Sequence, residues 1–132
     1  AALIGLPGAG MAQSAELDSL IAAAKAEGGF TLYTAATENV IARLAAAFEA
    51  KYGIETSFLR LSSGKLLQRF GTEAETGTIP ADLIFVAGNA KSFAKQGIEK
   101  GWFQPVSEAN LPVITSGELP EQWVRGETVV TQ

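Results

Sequence analysis

The sequence predicts an α/β fold: an open, mainly parallel sheet with flanking helices. Three observations lead there. Amphipathic helical patterns alternate with short strand-like runs from Glu16 to Gly97. One of those runs, Leu83 to Val86 (LIFV), is wholly apolar, as a buried parallel strand is. Each strand-like run ends in a loop of small or hydroxylated residues that opens a helix, and parallel strands joined by helices cross over right-handedly into an open α/β sheet.

Each element has its own local reason. Leu17, Leu20, Ile21 and Ala24 fall at i, i+3, i+4, i+7, a helical stripe that should stop at Gly28-Gly29. Phe30 to Thr34 (FTLYT) is aromatic and β-branched and reads as a strand. Thr37 can cap a second helix with the stripe Val40, Ile41, Leu44, Phe48 and Tyr52, closed by Gly53. Ile54 to Arg60 alternates as an edge strand does, with one wetter side. Ser62 or Ser63 can cap a third helix through Leu66, Leu67, Phe70 and Ala74, ended by Gly77. Asn89 can cap a fourth, through Phe93, stopping near Gly97. Beyond Gly101, Pro105, Pro112 and Pro120 punctuate an irregular stretch. Trp123-Val124 and Thr128 to Thr131 then read as a strand pair around Arg125-Gly126-Glu127.

The first fifteen residues carry no charge. A short apolar run, Leu3, Ile4 and Leu6, precedes Gly10-Met11-Ala12 and Ala12-Gln13-Ser14. Both triplets put small residues at the positions that signal peptidase reads. Residues 1–15 are therefore expected to be a signal-peptide remnant or an apolar N-terminal arm. No run is long enough to span a bilayer.

Composition removes several functions. The chain has 132 residues, of which 47% are hydrophobic and 18% charged, so a packed core is expected rather than disorder. Its net charge of -4 argues against a general nucleic-acid binder, which needs a basic face. Cysteine and histidine are both absent. That excludes disulfides, thiol nucleophiles, Ser-His triads and zinc fingers. No two carboxylates are placed by spacing to act as acid and base, and no metal site or cofactor is expected. Ser63-Gly64-Lys65 resembles the end of a phosphate-binding P-loop. Leu59 stands where that motif needs its first glycine, and Leu66 where it needs Ser or Thr. The turn Thr34-Ala35-Ala36-Thr37 holds no GxGxxG, so a dinucleotide site has no support.

Catalysis thus has thin support, and binding has more. Ligands of open α/β sheets sit outside the carboxyl ends of the strands. Three loops end there: Thr34, Ala35, Ala36 and Thr37; Leu61, Ser62, Ser63 and Gly64; Ala87, Gly88 and Asn89. Helix N-termini offer unpaired N–H groups and partial positive charge, and small residues let a ligand approach the backbone. Arg60, beside the serine loop, can pair bidentately with an anion, face solvent as an edge arginine, or partner a nearby glutamate. Each of Thr37, Ser62, Ser63 and Asn89 taken singly reads as a helix cap. Asp82, at the amino end of its strand, reads as structural, and Trp102, Phe103 and Trp123 as packing residues.

The segments LYTAATENV, LAAAFEAKYGIE, LRLSSGKLLQRF, PADLIFVAGNA and KGWFQPV, leading to WVRGETVVTQ, resemble in order and spacing the periplasmic solute-binding proteins of ABC importers. The ferric-iron-binding-like branch is the most similar, and the resemblance runs from about Gly29 to Gln132. It implies a two-lobed protein with a sheet order of 2-1-3-n-4 in each lobe. It implies capture of a small-molecule ligand and delivery to a membrane permease, without chemistry on the ligand. Residues 16–132 then correspond to an incomplete N-terminal lobe, and the three loops to its ligand loops. Where iron-binding members place histidine and glutamate, Thr37 and Asn39 stand here, so an organic anion or a metal chelate is expected rather than bare ferric iron. Members are much longer. The sheet is therefore expected to keep an open apolar edge beside LIFV, through which copies could associate. Two other readings stay open: a small stand-alone α/β enzyme, and a module that pairs through that edge.

Overall fold

A computed structural model describes residues 9–88, 90–104, 106–109, 111, 113, 116–120, 124–125 and 128–129. The chain forms two compact units. One is Gly28–Gln104; the other comprises the described residues before Gly28 and after Gln104.

Helix α1 (Ala9–Glu27) belongs to the second unit. It includes residues before Glu16, where the readable stripe begins. Leu17, Ile21 and Ala24 are half-buried, and Leu20 is exposed.

The first unit holds the sheet. Strands β1 (Phe30–Thr34), β2 (Thr56–Arg60) and β3 (Leu83–Phe85) are all parallel, in the order β2-β1-β3. Helix α2 (Glu38–Tyr52) joins the first two strands, and α3 (Ser63–Glu75) joins β2 to β3. Helix α4 (Ala90–Glu99) follows. The α/β class is as the sequence predicts, and β2 lies at an edge. Asp82 completes the β1–β3 pairing: its N–H donates to Thr31 O (2.9 Å), and its Oδ2 accepts the Thr31 N–H (2.7 Å). Its role is structural.

Strand register assigns the two faces. Tyr33 stands level with Leu59 and Ile84, and these three join Leu66, Phe70 and Ala74 of α3 in the core. Phe70 is 1% exposed. Phe93, Trp102 and Phe103 surround it, with ring centroids 5.8, 6.2 and 5.6 Å away. Trp102 and Phe103 are thus packing residues; Trp123 lies outside the described residues.

Helix α2 covers the other face. Its Phe48 ring lies 5.3 Å from that of Phe30, and Ile41 and Ala45 are buried. The stripe predicted for α2 is only partly right. Val40 is 56% and Leu44 57% exposed, on the flank of α2 away from Ala46, Glu49 and Gly53, which border β2. β3 departs in the same way. Leu83 and Phe85 are each half-exposed, because β3 pairs only with β1 among the described residues and its α2-side face is uncovered there.

Helix ends follow simple chemistry. Gly53 closes α2 in the left-handed region, its N–H donating to Glu49 O (2.7 Å). In α3, Thr78 N–H reaches Glu73 O and Gly77 N–H reaches Ala74 O, a Schellman ending. The fourth helix stops near Gly97, as the sequence predicts: it runs to Glu99 and ends in the same motif, with Trp102 N–H on Gly97 O and Gly101 N–H on Ile98 O. Gly101 has φ +70°, where a Cβ would meet the following carbonyl. Gly97 is a packing position instead: a Cβ there would overlap the Phe103 ring.

In the second unit, β4 (Val124–Arg125) and β5 (Thr128–Val129) pair antiparallel, close to the strand pair read from the sequence. A 3₁₀ turn, Val106–Ala109, precedes them.

Candidate functional site

The carboxyl ends of β1, β2 and β3 are cross-bonded where their loops begin. Leu61 N–H donates to Thr34 O (3.2 Å), and Ala35 N–H donates to Phe85 O (3.1 Å). The β1 loop is therefore held from both sides, and it brings Thr34–Thr37, Ser62–Ser63 and Ala87–Gly88 to a common rim. Asn89 lies outside the described residues.

Within this rim the residues differ. Thr34 is completely buried, and its Oγ1 accepts the Ala36 N–H (3.0 Å). That hydroxyl shapes the turn and is committed to it. Ala35 and Ala36 are half-buried; Ala87 and Gly88 are exposed. Thr37 and Ser62 occupy the N-cap positions of α2 and α3, both in extended conformation. Their carbonyls accept the first helical bonds, from Ile41 N–H (3.1 Å) and Leu66 N–H (2.9 Å). Their hydroxyls make no capping hydrogen bond, contrary to the sequence expectation that each side chain caps its helix. Both residues are exposed, so water can take that role. Ser63 is the first helical residue and is half-buried.

Arg60 ends β2, level with Thr34. Its Nε donates to Ala36 O at 3.0 Å, which ties the guanidinium to the β1 loop. Among the described residues it makes no ion pair, and its Nη groups have no hydrogen-bond partner. Lys65 adds a second exposed cation in the first turn of α3, and Glu38 sets one carboxylate in the first turn of α2. The rim thus combines two helix N-termini, free hydroxyls and a tethered guanidinium, an arrangement that can accept an anion's oxygens.

Two open depressions, of about 790 and 340 Å³, lie at the opposite, amino ends of the strands. Ala46, Glu49, Gly53 and Thr56 line the first, and Gly28, Phe30, Thr31 and Ser57 the second; Glu55 borders both. Neither contains a rim residue. The carboxylates of Glu49 and Glu55 make them poor places for an anion.

One polar cluster escaped the sequence reading. Tyr33 OH donates to Glu73 Oε2 (2.9 Å), and Arg69 Nε donates to Glu73 Oε1 (2.8 Å). The Arg69 guanidinium lies 5.9 Å from the Tyr33 ring centre. Burial raises the Tyr33 hydroxyl's pKa above its ordinary 10.0, and the bond to Glu73 raises it further. The i,i+4 spacing of Arg69 and Glu73 is visible in sequence; the link to Tyr33, forty residues away, is not. The cluster sits in the β1–α3 packing and does not reach the rim loops. Among the described residues no group of acidic side chains could hold a metal ion, and no helix is long and apolar enough to cross a membrane.

Compared with family models, curated proteins and solved structures, the chain matches none.

Proposed function

We propose that this chain captures a small anion at the carboxyl rim of its sheet, as the N-terminal lobe of a periplasmic solute-binding protein. In that role the lobe would have the sheet order 2-1-3-n-4, and the observed β2-β1-β3 supports its first three places. A second lobe would close over the rim, and an ABC permease would receive the ligand unchanged. The ligand class that fits is an organic carboxylate, a phosphonate or phosphate, or a metal chelate with anionic oxygens.

One observation carries this reading. Arg60 is tethered through Nε to the β1 loop that leads into α2, and the cap hydroxyls of α2 and α3 make no capping bond among the described residues. With Nε committed to Ala36 O and no ion pair among the described residues, the Nη groups are left to meet an anion's oxygens. Thr37 and Asn39 offer neutral oxygen only, which supports an organic anion or chelate over bare ferric iron.

The test is thermal shift of the gene product recovered from the cell envelope, against citrate, other small carboxylates, phosphonates and phosphate. A ligand that binds only the folded state stabilises it by about 2.7 kcal/mol at a hundred times its Kd. At least one anion is expected to raise the Tm, and Arg60→Gln to remove most of that rise. No response to any anion, or a response unchanged in Arg60→Gln, would overturn the reading.

A second reading rests on β3. Its outer edge, unpaired among the described residues, with Leu83 and Phe85 half-exposed, can template pairing with another extended segment, including that of a second copy. This reading requires association that grows with protein concentration.

A further inference from the structure

We draw no further inference here: the strongest candidate, the exposed apolar strip that Val40 and Leu44 of α2 form with Leu83 and Phe85 of β3, adjoins the strand edge already described, and nothing in the structure shows what covers it.

Discussion

At Gly97 the missing side chain is what lets the Phe103 ring lie against α4. Gly97→Ala must displace that ring from Phe70, and overpacking of this kind costs about 1–3 kcal/mol. Gly71, inside α3, is the control: a Cβ there would meet only Phe93, at an ordinary 3.8 Å. Gly71→Ala is expected to gain up to about 1 kcal/mol from helix propensity. Urea denaturation of the two variants checks this, and equal effects would refute it. Tyr33 gives a second residue-scale expectation. Tyr33→Phe deletes the bond to Glu73 and should cost about 1 kcal/mol near pH 7. The folded state holds the phenolic proton more tightly than the unfolded chain, because the Tyr33 pKa is raised. That stabilisation is fully present below pH 10.0 and is lost as pH rises through the folded-state pKa. Stability measured from pH 8 upward should therefore fall more steeply in the wild type than in Tyr33→Phe. Parallel curves would show that Tyr33 does not contribute this way.

Among the elements, strands and helix ends were legible because local chemistry decides them. FTLYT is a strand over its whole length, and Gly53 closes α2, because side-chain shape and one left-handed glycine act within a few residues. The errors fall where distant packing decides. Gly97 marks where α4 nears its end, but its packing against a ring from beyond the helix is not legible locally. Leu83 to Val86 reads as buried, but burial depends on what lies beside β3. The α2 stripe is wider in sequence than the face the sheet covers, so Val40 and Leu44 stay exposed. At the rim, residue types were legible, whereas the unused cap hydroxyls and the Arg60–Ala36 tether depend on how the chain folds back on itself. The β3 edge carries its own expectation. If copies pair there, sedimentation should show association with rising concentration, and Phe85→Lys should abolish it by placing a charge beside the unpaired edge. Association that survives Phe85→Lys would assign it to another surface.

For the whole molecule, the parallel sheet gathers three loop chemistries at one end and leaves the carboxylate-lined depressions at the other. The net charge of -4 does not oppose anion capture, because exposed charges more than about 10 Å away are largely screened at 0.1 M salt. In the proposed role local donors would decide instead: Arg60, Lys65 and the first N–H groups of α2 and α3. The most direct measurement is backbone amide NMR of the protein titrated with citrate and, separately, with inorganic phosphate. Anion capture at the rim should produce saturable shifts at Ala35 to Asn39 and Ser62 to Lys65, weakened in Arg60→Gln. Titrations that leave those amides unmoved, or move only residues around Glu49 and Glu55, would contradict it.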